Sequence, residues 1–363
     1  MSDDRPNASP LSEGPTSPWS VPDFRWLWIG RLAAVLGIQI QSSALLWQVY
    51  EIARRDHPIE QASLYLGLVG LAQFLPLLAL TLPAGAMADR RDRKMTVILS
   101  VLVEGSCAGA FLALAIRGDP PLWGLLAIAA VFGAARAFLA PATQAFLPMV
   151  VGRRALAPAI AAQSIAFQTG AIAGPALGGL IVGLSVPLAY GVSAVMFAVA
   201  VTSLLLIRTS GRPPVIQTGL TRLKAVTEGL RYVWKTKIVL GAISLDLVVV
   251  MFAGVALLTP VFARDILHVG ALGFGLLRAS FGVGALAMAV YLSRFPITRN
   301  GGTWMLAAVA VFDICTLTFG LSRMAWLSAL VLLIGGAADM ISVNIRQTLI
   351  QLVIPDNMRG RVA

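Results

Sequence analysis

The chain has 363 residues, of which 58% are hydrophobic and only 12% are charged. A soluble globular protein is nearer to half apolar and a quarter charged, so this composition excludes a soluble domain and indicates repeated transmembrane helices. The formal net charge of +11 would suggest nucleic-acid binding in a soluble chain. Here it fits basic residues kept in loops on one side of a bilayer, and we expect no nucleic-acid partner.

The N-terminal segment, residues 1–23, is rich in proline, serine and aspartate and has no apolar core. This composition predicts a disordered cytoplasmic tail rather than a cleaved signal peptide. Ten apolar runs follow, each about long enough to cross a bilayer as a helix. The predicted spans are 24–50, 62–87, 95–116, 122–147, 159–183, 187–207, 238–262, 271–293, 303–321 and 325–352.

The spans divide into an N-terminal six-helix bundle, 24–207, and a C-terminal bundle, 238–363, joined by the connector 208–237. The connector is basic, and its leucines and valines recur at helical spacing. This pattern predicts an amphipathic helix at the membrane surface that joins the bundles, with a regulatory site as the alternative. The expected fold class is all-α integral membrane.

Basic residues are distributed unequally between alternate loops. Loops after odd-numbered spans carry only Arg54, Arg55, Arg117, Arg264 and Arg323. Loops after even-numbered spans carry Arg90, Arg91, Arg93, Lys94, Arg153, Arg154, the basic connector, Arg294, Arg299, Arg359 and Arg361. The positive-inside rule therefore predicts a multi-pass protein with a cytoplasmic N-terminus. The expected location is a bacterial plasma (inner) membrane.

An internal repeat relates the two halves. Asp246 follows Gln39 by 207 residues, and Pro355 follows Pro148 by the same interval. Two parallel six-helix halves, related by an axis along the membrane normal, would produce this offset. Carrying it forward predicts an eleventh and a twelfth helix at about 367–390 and 394–414, so we expect the C-terminal half to be incomplete, with four helices and the last two missing.

Features of metal sites and enzymes are missing from the sequence. Cys107 and Cys315 both lie inside apolar runs, which indicates neither a disulfide framework nor a metal site. The sequence has no HExxH, no nucleophile elbow and no glycine-rich phosphate loop. We therefore expect a protein that is not an enzyme and that has no metal, no catalytic residues and no cofactor.

A cluster of charged residues lies between spans two and three, where residues 85–97 read GAMADRRDRKMTV. It resembles the signature Gly-x-x-x-Asp-Arg-x-Gly-Arg-Lys of the major facilitator superfamily. The matching residues are Gly85, Asp89, Arg90, Arg93 and Lys94. Asp92 replaces the second glycine, as in the enterobactin-exporter-like branch. The resemblance implies a gating loop that holds the two halves together in one state, and the alternative is a topology anchor alone.

A second motif lies in span five and is similar to the antiporter motif of superfamily exporters at every fixed position. It consists of Gly170, Gly174, Pro175, Gly178 and Gly179. Small residues permit close helix approach, so helix packing without directional meaning is the alternative.

Charges inside the membrane are the remaining site candidates, because they are costly there. The resemblance implies a cavity lined by spans one, four, seven and ten. The polar candidates on these spans are Arg31, Gln39, Arg136, Asp246, Asp339 and Arg346. Asp246 and Asp339 are the expected proton sites, with Arg136 and Arg346 as counter-ions or substrate contacts; structural ion pairing is the alternative.

Three other groups are assigned to structural roles. Glu104 and Asp313 lie on spans three and nine, which are peripheral in the superfamily, so ion pairing is expected for them. Gln39 stands where many exporter-branch members carry an acid, and no carboxylate role can be transferred to it. Three tryptophans near the ends of span one are expected to be interfacial belt residues: Trp26, Trp28 and Trp47.

The resemblance implies a secondary active transporter that works by alternating access between two bundles. The expected activity is proton-coupled efflux of a small organic molecule, siderophore-like or drug-like, by a monomer in a lipid bilayer, with the proton gradient as the coupling source. The alternatives are a non-transporting scaffold or sensor on the same fold, or an uptake carrier.

Overall fold

A computed structural model of the chain describes residues 17–118, 120–152, 154–212, 255–295, 297 and 300–353. In these ranges the secondary structure is helical and contains no strand. The helices are α1 (Pro22–Asp56), α2 (Ile59–Arg90), α3 (Arg93–Ile116), α4 (Leu122–Val151), α5 (Leu156–Leu184), α6 (Val186–Leu206), α7 (Val255–Val261), α8 (Gly270–Arg294), α9 (Gly301–Leu321) and α10 (Ala325–Val353).

Nine of the described helices are long and apolar enough to cross a bilayer, and they coincide with the predicted spans other than the seventh. The predicted all-α membrane class is therefore confirmed. Their outward faces are apolar: Leu64, Phe74 and Leu78 of α2 are each more than half exposed. Such a surface is stable only in lipid. The seventh predicted span lies largely outside the described residues, and α7 is its described end.

Short connections make successive helices antiparallel, so that helix ends gather at two faces. We call the face where α1 begins the N-terminal face; it also holds the α2–α3 turn and the end of α6. The opposite face holds the end of α1 and the segment before α8. Contacts between helix ends support this arrangement, because Asp23 at the start of α1 accepts hydrogen bonds from the backbone nitrogens of Arg208 and Thr209, just beyond α6.

The two halves pair their helices in the same way. α2 packs on α4 and α3 on α4 in the first half, as α8 packs on α10 and α9 on α10 in the second. In the α2–α4 pair and in the corresponding α8–α10 pair, the two helices are so close that a glycine is required at the contact. A Cβ on Gly133 of α4 would collide with the Gln73 carbonyl of α2, and a Cβ on Gly336 of α10 would collide with the Phe281 carbonyl of α8. Small residues at such positions let membrane helices approach closely.

Part of the predicted tail is ordered. Residues 1–16 lie outside the described ranges, but Pro18–Ser20 form a 3₁₀ turn and α1 already begins at Pro22. The physical reason is aromatic packing, since the Trp19 ring lies 5.3 Å from the Phe24 ring and 5.6 Å from the Trp28 ring, both centroid to centroid. The boundary predicted at residue 23 therefore lies several residues too late.

Candidate functional site

The charged turn between α2 and α3 is tied into the N-terminal half. Asp92 caps α3, its Oδ1 accepting from the Met95 nitrogen at 3.1 Å. The Arg93 side chain donates to the carbonyls of Ala88 at 3.1 Å and Ala145 at 2.9 Å. Lys94 Nζ donates to the Ile207 carbonyl at 2.5 Å. These bonds satisfy carbonyl groups in or next to the last turns of α2, α4 and α6.

The described contacts of this turn thus join four helices of one half. Gly85, Asp89 and Arg90 lie near the end of α2, and the side chains of Asp89 and Arg90 are outside what the structure describes. The gating role of the turn stays a prediction. Arg93 and Lys94 join α3 to the neighbouring helices α2, α4 and α6 of the N-terminal half by hydrogen bonds.

Arg93→Ala should therefore lower stability, by about 1–3 kcal/mol, because charged, partly buried hydrogen bonds to two carbonyl groups are lost. The measurement is the midpoint of thermal unfolding of the purified protein in detergent. Arg91→Ala is the matched control, since the Arg91 side chain is exposed. Equal midpoints for the two variants would show that the Arg93 bonds contribute nothing.

The glycines of the span-five motif lie on two faces of α5. A Cβ on Gly170 would lie 2.6 Å from Val35 Cγ1, one on Gly174 would meet Gln39 Cβ, and one on Gly178 would lie 2.8 Å from Ile40 Cα. These three positions face α1. On the other face, a Cβ on Gly179 would lie 2.6 Å from Gly275 Cα of α8. The motif therefore packs α5 against its own half and against the other half at once.

Three charged groups lie within electrostatic range of one another in the N-terminal half: Arg31 of α1, Glu104 of α3 and Arg136 of α4. Glu104 is fully buried, and neither carboxylate oxygen has a hydrogen-bond partner among the described residues. Arg31 and Arg136 act on it electrostatically. Their guanidinium groups lie instead over the rings of Phe167, at 5.3 Å, and Phe132, at 6.0 Å.

The predicted ion pairing of Glu104 is therefore not observed in the part of the chain that the structure describes. The prediction relied on the peripheral place of span three in the superfamily. It missed that α3 packs against both α4 and α6, which removes Glu104 from lipid. Asp313 Oδ1 of α9 is likewise buried without a hydrogen-bond partner among the described residues.

Gln39 serves the contact between helices. Its Nε2 donates to the Ala171 carbonyl of α5 at 3.4 Å, and its Cβ packs against Gly174. This is the ordinary use of a neutral polar residue in a membrane helix.

A cavity of about 300 Å³ lies between the two halves, bounded by α5, α7, α8, α9 and α10. Its wall is mainly apolar, and a few polar groups lie in it. The polar lining residues are Gln168, Thr259, Arg278, Thr316 and Asp339. A concave apolar site with a few polar groups is the usual form of a small-molecule site.

The predicted site residues therefore separate into two groups. Arg31 and Arg136 lie with Glu104 in the N-terminal half, whereas Asp339 lines the cavity. Asp339 and Arg346 each interact with another residue. Asp246 lies outside the described residues. Arg278 was missed, although a charged residue in an apolar run is the signal that could have found it.

The opposite face carries a second group that the sequence did not reveal. After α7 the chain forms a π turn, Phe262–Ile266, closed by the Leu267 nitrogen donating to the Phe262 carbonyl at 2.8 Å. Asp265 in this turn accepts from the Tyr50 hydroxyl at 2.5 Å and from Arg54 Nη2 at 2.8 Å, both at the end of α1. We call these three residues the latch.

Two further contacts support the latch. Arg264 Nη1 donates to the Glu51 carbonyl at 3.1 Å and lies 3.5 Å from its carboxylate. Trp47, predicted to be a belt residue, is instead 6% exposed, and its ring lies 5.2 Å from that of Phe274 in α8. Trp47 therefore belongs to the interface between halves, because its ring packs against Phe274 of α8. Trp26 is 38% exposed, as expected of a belt residue.

The latch carboxylate remains ionised over a wide pH range. Burial alone would raise the pKa of Asp265, but hydrogen bonds from Arg54 and Tyr50 favour the charged form more strongly. The pKa of Asp265 is therefore lower than that of an ordinary aspartate.

Comparison with known proteins places these features in a family. The family model for a transmembrane secretion effector matches residues 13–363. The chain is 27% identical over 346 residues to the enterobactin exporter EntS of Citrobacter koseri, an alignment that covers 94% of this chain and 80% of that one.

Solved structures share the fold. A bacterial homologue of the human lysosomal transporter Spinster, described as inward-facing and unoccupied, gives a TM-score of 0.66 at 17% identity, with 94% of this chain and 78% of that chain covered. The human organic anion transporter MFSD10 gives 0.63 at 16% identity, with 94% and 88% covered. The chain therefore belongs to the transmembrane secretion effector family of the major facilitator superfamily.

Proposed function

We propose that this chain exports a small organic molecule, siderophore-like or drug-like, by proton-coupled alternating access. Membership of the family and similarity to exporters make it a secondary efflux transporter. The excess of basic residues in the loops of the N-terminal face supports a cytoplasmic location for that face. Similarity to an exporter of the bacterium Citrobacter koseri supports a bacterial inner membrane as the location of the protein.

The arrangement of the halves supports alternating access. They are joined at the opposite face by the latch, by Trp47 on Phe274 and by the contact between Gly179 and Gly275. The cavity lies deeper, at the middle of α5 and α8. With the N-terminal face in the cytoplasm, this is a state closed to the outside, from which the substrate would enter from within the cell.

The observation that carries the coupling proposal is Glu104. A carboxylate buried without hydrogen-bond donors is costly to keep ionised, and two positive guanidinium groups nearby lower that cost. A group held between these opposing influences is suited to taking up and releasing a proton. Arg31 and Arg136 lie on α1 and α4, which the superfamily resemblance places at the central cavity, so a shift of these helices would change the field at Glu104.

Glu104→Gln should abolish substrate-driven proton movement while leaving the protein folded, because glutamine has nearly the same shape but cannot carry the proton. The purified full chain is placed in liposomes that contain a pH-sensitive dye, and siderophore-like and drug-like compounds are added in turn. The expected result is a substrate-dependent pH change for the wild type and at least a tenfold slower one for the variant.

Asp313→Asn is the control, since Asp313 is a half-buried residue on α9 of the other half and its Oδ1 is likewise buried without a hydrogen-bond partner among the described residues. We expect it to retain coupling. Wild-type coupling in Glu104→Gln would remove Glu104 from the mechanism, and a wild-type chain that moves no protons with any compound would contradict proton-coupled transport.

A further inference from the structure

The cavity contains one arginine whose charge is not neutralised by the residues described. Arg278 of α8 lines it, and the buried Nη1 atom of Arg278 has no hydrogen-bond partner within the described ranges. One face of the guanidinium lies over the Phe274 ring, with the guanidinium carbon 5.6 Å from the ring centroid. That ring is fully buried and is packed in turn on Trp47.

A buried guanidinium without a partner is costly. Arginine stays charged in proteins and presents donors in a planar fork that matches carboxylate, sulfonate and phosphate oxygens. The stacking on Phe274 orients this fork, and the cavity holds space beside it. An anionic group entering the cavity would therefore recover hydrogen bonds that the described residues leave unmade.

The rest of the wall indicates the body of such a ligand. Leu277, Phe281, Phe312 and Leu332 make most of the surface apolar and partly aromatic. A volume of about 300 Å³ is at the lower end of small-molecule sites. The ligand would thus have a compact apolar or aromatic body and a single anionic head.

We propose that Arg278 is the substrate-recognition residue of this cavity, and that the exported molecule is a small amphipathic organic anion whose head group binds the Arg278 guanidinium. The inference rests on the proposed export function, whose substrate class it narrows.

The test is equilibrium binding to the purified full chain in nanodiscs, without any gradient. The probes share one apolar body: naphthalene carboxylate, sulfonate and phosphate, with neutral naphthamide and cationic naphthylmethylammonium as comparisons. We expect the wild type to bind at least one anion about tenfold or more tightly than the amide, as a charged hydrogen-bonded pair allows. Arg278→Gln should reduce the ratio of anion affinity to amide affinity to about one, and Arg278→Lys should retain part of the preference for the anion.

Arg117→Gln is the control for charge, because Arg117 is exposed at a helix end; it should keep the wild-type ratio. A wild type that binds no anion better than the amide overturns the proposal, whether or not Arg278→Gln folds. Restoration of binding and transport by adding Asp246→Asn to Arg278→Gln also overturns it, because Arg278 would then be a partner of that acid. Since no proton flux is measured, failure of the Glu104 experiment and failure here are separate results.

Discussion

Gly179→Leu should prevent the two halves from closing at the opposite face and should abolish transport. A Cβ on Gly179 would already lie 2.6 Å from Gly275 Cα, and the two glycines face each other across the boundary between halves. Because the clash is with backbone, no side-chain rotation relieves it, and overpacking of this kind costs about 1–3 kcal/mol or more. The variant relieves the clash most simply by moving α5 and α8 apart.

The measurement is labelling of a cysteine placed at Ala271, a partly buried residue at the start of α8, with a membrane-impermeant reagent added from the opposite face. Labelling should be at least tenfold faster in Gly179→Leu than in the parent. Gly191→Leu is the matched control, because a Cβ on Gly191 of α6 has nothing within 4 Å. Slow labelling and normal transport in Gly179→Leu would show that the contact at Gly179 is not needed for closure.

Asp265→Asn should open the latch. Asparagine keeps the size of the side chain but removes the charge that Arg54 contacts at 2.8 Å, and Asp265 is only 12% exposed. Loss of a charged hydrogen-bonded pair costs about 2 kcal/mol, so the population closed at the opposite face should fall about thirtyfold relative to the open one. Distances between spin labels at the end of α1 and the start of α8 measure that population.

Glu51→Gln is the control for this experiment. The Glu51 side chain is 40% exposed, and its contact with Arg264 is 3.5 Å long, so it should contribute little. If both variants leave the distances unchanged, the halves are held together by the glycine and aromatic contacts alone.

The latch should not respond to pH near neutrality. A carboxylate with a lowered pKa stabilises the contact at every pH above its ordinary value, about 3.9, and loses that contribution only as the pH falls through the lowered value. In the Glu104→Gln background, which removes the proposed proton site, spin-label distances should thus be constant from about pH 8 to pH 5. The proposed proton coupling would then act elsewhere, in agreement with the proposal that Glu104 carries the proton.

Hydropathy predicted the helices well because a bilayer imposes both their length and their apolar composition. It could not predict helix neighbours. Glu104 was read as peripheral from its span, whereas its environment depends on α4 and α6 packing over α3. A role for Arg278 could not be predicted from its apolar run, because that role depends on the absence of a hydrogen-bond partner for its Nη1 atom among the described residues. Asp265 and Tyr50 are 215 residues apart, so their contact has no local signature.

The π turn at Phe262–Ile266 contains one residue more than the α-helical turn it replaces. Removing one residue there would rotate the side chains relative to α7 by about 100°, turning Asp265 away from α1. The number of residues in this segment therefore decides whether the latch exists. In an alignment of homologous chains, a one-residue gap at 262–266 should coincide with loss of the acid or of its arginine, so a length difference would mark exporters that close by other contacts.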